Sequence, residues 1–240
     1  MRPAEVSPSA SAAWSLVRGP ATAHRGLWST DGAPENALAA FAAAADAGYG
    51  IELDVRLSAD GEVMVFHDET LARLCGRPEP MADLAAAELG ALRLNGTGEP
   101  IPTLAETLAR VDGRALIQVE LKTRPGEEGP LDEAVARRLD AYDGPVAVIG
   151  FNARSHAWWA EHRPDVLRGL DCRTPGELKA AVKIGRPHFL ALSTAMLDGA
   201  EARAARSAGF PIVAWTVRSP AEAESLRPLC DNIMFEGFRP

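Results

Sequence analysis

Residues 34–57 read PENALAAFAAAADAGYGIELDVRL, and the fold is decided in this stretch. Small apolar residues from Glu35 to Gly48 predict a helix, with Pro34 leading in and Gly48 closing it. The run Gly50–Leu57 then alternates with period two and predicts a strand. Outward from this couplet the same beat recurs. Strands are expected at Ala21–Arg25, Glu62–His67, Ala115–Lys122, Pro145–Phe151, Val166–Asp171, Phe189–Ser193 and Pro211–Val217. Helices are expected at Thr103–Val111, Leu131–Tyr142, Arg154–His162, Thr174–Ile184, Ala200–Ala208 and Pro220–Leu229. Two of these open on N-cap patterns, Thr174 with Glu177 and Ser219 with Glu222, each with Pro at the first helical position.

Strands that alternate with helices predict a parallel sheet covered by helices. Eight strand candidates within 240 residues favour closure into a (β/α)8 TIM barrel over an open sheet. No GxGxxG or GxxxxGK[ST] fingerprint supports an open nucleotide-binding sheet. Residues 69–100 are read as a short insertion after the third strand, with a small helix near Met81–Leu89. Residues 1–20, rich in Pro, Ser and Ala, are expected to form a loose arm with a short helix near Ala13–Val17, and residues 21–240 the barrel domain.

The net charge of −8 argues against non-specific binding to nucleic acid or to an anionic membrane. An anionic small-molecule substrate must then be met by local positive charge. Cys75, Cys172 and Cys230 show neither a paired framework nor metal-type spacing, so reduced thiols in a cytoplasmic protein are expected. The N-terminus lacks the apolar core of a secretory signal, and no run of 18 apolar residues predicts membrane insertion. Composition leaves the oligomeric state open.

The C-terminal ends of barrel strands form the active face. Here they carry His24-Arg25, Glu52-Leu53-Asp54, His67-Asp68 and Glu120-Leu121-Lys122. Residues two apart on a strand share a face. Ile51, Leu53 and Val55 are therefore expected to face the helices, and Glu52 and Asp54 the interior. Paired carboxylates in a low-dielectric site share a proton or bind a cation. Glu120 is a candidate third oxygen ligand, and Lys122 a candidate phosphate contact; a plain Glu120–Lys122 ion pair is the competing reading. An all-oxygen set suits one divalent cation, Mg²⁺ or Ca²⁺, better than Zn²⁺.

His24 and His67, at two strand ends beside these acids, are candidates for general acid and general base. Arg25 offers a planar fork for phosphate, or a partner for Glu35 or Asp54. Trp215 ends the last strand candidate, alternating with Val213 and Val217, and is a candidate apolar wall of the mouth or a core residue. His156, His162, His188, Trp158 and Trp159 are read as structural.

Taken together, His24-Arg25-Gly26, Pro34-Glu35-Asn36, Glu52-Leu53-Asp54-Val55, Asp60-Gly61, His67-Asp68, Glu120-Leu121-Lys122 and Trp215-Thr216-Val217 resemble the signature of glycerophosphodiester phosphodiesterases. The resemblance implies a barrel enzyme with a divalent cation on Glu52, Asp54 and Glu120, and with His24 and His67 as the acid–base pair. It further implies that Arg25 and Lys122 hold phosphate, and that Glu35 and Asn36 support the metal and the first-strand loop. The implied reaction takes a glycerophosphodiester to sn-glycerol 3-phosphate and an alcohol such as choline or ethanolamine. Water and the neighbouring glycerol hydroxyl both stay open as nucleophile. Ala37, where the family often has Thr, and the ending Asn232-Ile233-Met234-Phe235-Glu236-Gly237 depart from the pattern. These departures are expected to bear on the substrate and not on the chemical core. Hydrolysis of lysophospholipids, and a barrel that only binds phosphate metabolites, are the alternatives.

Overall fold

A computed structural model describes residues 2–7 and 10–240. Among these residues the strands are β1 (Thr22–Ala23), β2 (Gly50–Leu57), β3 (Val63–Val65), β4 (Ile117–Leu121), β5 (Val146–Gly150), β6 (Leu167–Cys172), β7 (Phe189–Ser193), β8 (Ile212–Val217) and β9 (Asn232–Phe235). The helices are α1 (Ser11–Val17), α2 (Leu38–Asp46), α3 (Ala72–Cys75), α4 (Ala86–Ala91), α5 (Leu104–Val111), α6 (Pro130–Leu139), α7 (Ala153–His162), α8 (Pro175–Gly185), α9 (Ala200–Ser207) and α10 (Pro220–Leu226).

The sheet runs β1-β9-β8-β7-β6-β5-β4-β2, and a parallel β1–β2 pairing closes it into a (β/α)8 TIM barrel. The staves differ from the expected set in one exchange. β3 is not a stave: it folds back antiparallel on β2, with Val55 opposite Val65, and begins the insertion. The eighth stave is β9, which pairs with β8 and with β1 and was not expected as a strand.

Period two explains the layering. Ile51, Leu53 and Val55 of β2 join Ile117, Val119 and Leu121 of β4 in the core beneath the helices. Their alternates Glu52, Asp54, Gln118 and Glu120 are buried inside the barrel. Below the acids the interior is apolar, filled by Ile149, Leu167, Phe189, Ala191, Val213 and Met234. Gly169 belongs to this layer because a Cβ there would sit 2.2 Å from the Phe189 ring. The alternation fails on β8. A register shift between Ala214 and Val217 turns Val217 to the helix side, so it does not share a face with Val213 and Trp215.

In the N-terminal segment, helix α1 closes the bottom of the barrel. Ala10, Ala13 and Val17 pack into the interior layer, and Asn232 Nδ2 donates to Val17 O at 2.9 Å and to Pro20 O at 3.0 Å. Full burial of a side chain such as Val17 contributes roughly 1.5–3 kcal/mol.

The helix expected from Glu35 begins only at Leu38. Asn36 has a left-handed backbone, φ 58°, which a helix cannot contain. Of the expected caps, Ser219 Oγ accepts from Glu222 N at 3.1 Å. Thr174 precedes α8 without a side-chain cap bond, and Glu177 lies outside the described side chains. No described helix is long and apolar enough to cross a membrane.

Candidate active site

The tight turn after β1 sets the first residues of the site. Arg25 and Gly26 both take positive φ, 60° and 82°, and a Cβ on Gly26 would lie 2.9 Å from Ala40. Glycine is required there. The turn aims the Arg25 backbone N–H at Glu52 Oε2, 2.9 Å away. Asn36, bent in the same sense, donates from Nδ2 to Asp54 Oδ2 at 2.8 Å.

β2 and β4 run in register, with Asp54 opposite Glu120. Carboxylate oxygens of Glu52, Asp54 and Glu120 all lie within 4.8 Å of one another, and all three residues are buried. Glu52 Oε1 is buried with no hydrogen-bond partner among the described residues. Burial, then the charges of Asp54 and Glu120, push the Glu52 carboxyl well above the usual range. Burial likewise takes Glu120 up to about 7, against the pull of Lys122. Asp54 goes the other way. Burial opposes its charge, but Lys122, Arg25 and His67 outweigh it and hold the carboxyl below its ordinary value. An ionised carboxylate between two that resist ionisation, with an oxygen lacking a donor, is an electrostatic deficit that a hard cation relieves. The donor set therefore fits a divalent cation.

Lys122 Nζ lies 2.8 Å from Asp54 Oδ1 and 2.6 Å from Glu120 Oε1. The expected alternatives of ion pair and ligand set are thus both present on the same atoms. Arg25 likewise pairs with Glu35 at 2.7 Å and Asp54 at 3.2 Å. Both cations face the mouth cavity, but each is already engaged by carboxylates. Glu35 reaches the acidic group through Arg25, which bridges it to Asp54. It binds Arg25 and Arg73, and Arg73 Nε in turn donates to Asp68 Oδ2 at 2.7 Å.

The two imidazoles are held alike. His24 Nδ1 is 2.7 Å from Glu236 Oε2, and His67 Nδ1 is 2.6 Å from Asp68 Oδ1. A carboxylate only accepts, so each Nδ1 carries a proton and Nε2 is the nitrogen left to exchange one. His24 Nε2 points to the acidic group, 3.9 Å from Glu52 Oε2. The bond from His24 holds Glu236 down at about 2. Burial works against the charge on Asp68, yet Arg73 and His67 hold it at about 2. Burial also draws His67 below the usual imidazole value. Arg56 steadies the same segment, with Nε donating to His67 O at 2.8 Å.

Glu236 corrects an expectation. The unusual ending is expected to bear on the substrate alone, whereas its acid is bonded to His24, a candidate for the acid–base pair. Three more residues were missed. Asp171, the interior residue at the end of β6, is 4% exposed. Burial and then the charge of Glu120 push its carboxyl well above the usual range. Arg173 lies over Phe151 at 4.4 Å and over Trp215 at 5.7 Å. Arg218 Nε binds Glu236 Oε1 at 2.7 Å.

Trp215 is half-buried and meets Phe151 edge to face at 5.6 Å, forming one wall of a cavity of about 270 Å³. His24, His67, Glu120, Lys122 and Asp171 line the same cavity. A larger groove of about 650 Å³ adjoins it through Lys122 and runs along Arg56, Glu69, Met81, Arg124 and Leu131. The acids and imidazoles lie in the smaller space. The histidines read as structural stay apart from it, and His156 and His188 are buried, each bonded to backbone carbonyl oxygen.

A model of the glycerophosphoryl diester phosphodiesterase family matches residues 24–231. The fold superposes on an Oleispira antarctica phosphodiesterase in complex with the product sn-glycerol 3-phosphate, with a TM-score of 0.84, 26% identity, and coverage of 93% of this chain and 94% of that one. The Bacillus subtilis protein YhdW is 28% identical over 222 residues, which are 86% of this chain and 89% of that protein. A glycerophosphodiester phosphodiesterase of Caldanaerobacter subterraneus is 37% identical over 142 residues, 54% of this chain and 57% of its own length. Fold and similarity together define a barrel-type phosphoric diester hydrolase. The chain belongs to the glycerophosphoryl diester phosphodiesterase family.

Proposed function

We propose that the chain hydrolyses glycerophosphodiesters to sn-glycerol 3-phosphate and an alcohol such as choline or ethanolamine. The reading is carried by one observation: three buried carboxylates within 4.8 Å, beside an imidazole whose Nδ1 is held by Glu236 and whose Nε2 faces them. Glu52, Asp54 and Glu120 would hold one Mg²⁺ or Ca²⁺. When bound, such a cation acts as a Lewis acid on the phosphoryl oxygens.

The protein groups supply the rest. His24 and His67 line the mouth; one, unprotonated at Nε2, takes the proton of the nucleophile, and the other, protonated there, gives its proton to the leaving alcohol. Arg25 and Lys122 offer their remaining N–H groups to phosphate oxygens, where charge grows in the transition state. Asn36 fixes Asp54, and Glu35 with Arg73 fixes Asp68. Trp215 and Phe151 cover one side of the substrate and exclude water. The thiols of Cys75 and Cys230, joined in no disulfide, support a cytoplasmic setting.

The test is an assay of glycerophosphocholine and glycerophosphoethanolamine with and without EDTA, on the wild type, His24→Ala and His67→Ala. Activity should be lost on chelation and in both variants. Turnover that survives chelation and both substitutions would defeat the mechanism. A second reading, hydrolysis of lysophospholipids, draws on the 650 Å³ groove, whose lining includes Leu57, Pro80, Met81 and Leu131. Choline released from lysophosphatidylcholine but not from glycerophosphocholine would favour it.

A further inference from the structure

The two halves of the mouth are chemically unlike. The ends of β1, β2 and β4 carry the imidazole, the acids and the lysine, whereas β5, β6 and β8 carry Phe151, Asp171, Arg173 and Trp215 at or just past their ends. Asp171 stands out in the second half. Leu170 and Cys172 beside it pack under the helices, which turns Asp171 into the barrel. It is 4% exposed, lines the 270 Å³ cavity, and makes no hydrogen bond or ion pair with any described residue; its Oδ1 is fully buried without a partner. A buried polar atom left in this state is unfavourable unless something else supplies the donor.

The surroundings narrow what that donor is. An ionised phosphate brings no hydrogen-bond donor to the unpartnered Oδ1. An ammonium head group would be drawn to the carboxyl and to the aromatic faces, but the guanidinium of Arg173, which lies over Phe151 and Trp215, repels a second cation there. What remains is an uncharged group with hydroxyl donors.

We propose that Asp171 is a specificity-determining residue that binds the glycerol hydroxyls of the substrate, with Arg173 on its aromatic platform excluding cationic groups from that half of the mouth. This rests on the glycerophosphodiester reading. A diester held at the acidic side of the mouth then points its glycerol toward β6 and its other alcohol away from it. A site built to bond hydroxyls rejects ligands that lack them far better than an apolar pocket does.

The experiment is calorimetric binding to the whole chain in Mg²⁺, with sn-glycerol 3-phosphate, inorganic phosphate and ethanolamine phosphate as probes. The wild type should prefer glycerol 3-phosphate to the other two. Asp171→Ala should weaken glycerol 3-phosphate by about tenfold and leave inorganic phosphate within about twofold. Asp171→Asn, which keeps an acceptor and a similar shape, should recover part of the loss and serves if the alanine variant does not fold. Equal weakening of glycerol 3-phosphate and phosphate, no change in either, or a wild-type preference for ethanolamine phosphate that Asp171 controls would each overturn the assignment. The functional reading is tested apart from this by turnover of glycerophosphocholine. A wild type that binds glycerol 3-phosphate through Asp171 but cleaves no diester refutes that reading alone.

Discussion

His24 Nδ1 and Glu236 Oε2 lie 2.7 Å apart, although 212 positions separate them in the chain. The contact joins the end of β1 to the end of β9, the two staves whose pairing helps complete the barrel. It orients the imidazole and selects its tautomer, because Glu236 accepts only a proton carried on Nδ1. Glu236→Ala should therefore lower kcat by about 10–100-fold with little change in KM. Steady-state kinetics on glycerophosphocholine check this, and unchanged kcat would remove Glu236 from the site.

Asn36 is the sole described side chain that donates from an amide to Asp54, at 2.8 Å from Nδ2 to Oδ2. Asn36→Gly keeps the left-handed backbone while removing that donor. Affinity for Mg²⁺ or Ca²⁺ should fall by about 10–100-fold, read by calorimetric titration of the metal. Equal affinity in the variant would mean that Asp54 needs no such support.

Acid should unfold the protein partly through Glu236 and Asp68. Both carboxyls are held at about 2 in the fold, against ordinary values of 4.5 and 3.8. A depressed folded value gives stability that is present above the ordinary value and is lost as pH falls through the folded one. Wild-type stability should decline between about pH 4.5 and pH 2. In Glu236→Gln that decline should be shallower, and stability at neutral pH should be lower. Chemical unfolding followed at a series of pH values gives the two slopes, and parallel slopes would contradict the prediction.

Val17 on α1 is fully buried against the barrel floor. Val17→Ala should cost about 1–3 kcal/mol of unfolding free energy. Activity of the remaining folded protein should be unchanged, because the mouth is at the other end of the staves. Urea unfolding measures the first and kcat the second; a stable variant would mean that α1 adds little.

The staves β2 and β4 were legible because Ile51, Leu53, Val119 and Leu121 alternate with buried acids, and period two shows both the strand and its interior face. The same rule applied to Leu170-Asp171-Cys172 exposes Asp171, an acid between two apolar neighbours at a strand end; it was read only as the end of a strand. β9 was not legible. Asn232–Phe235 is four residues long, opens on a polar side chain and offers no long alternation. β3 has a strand's composition, but the direction in which it pairs is set by the tight turn through Gly61, not by its own residues. Glu236 was hidden for a further reason: its role exists only once β1 and β9 lie side by side.

That adjacency bears on synthesis. A ribosome releases residue 24 some two hundred positions before residue 236, so His24 waits through most of translation without the carboxylate that orients it. Contacts of such long sequence separation form late and slowly. A stalled or truncated nascent chain can therefore carry every acid of the cation site and still lack a correctly poised imidazole. The bond that orients His24 in this barrel arrives with its final stave.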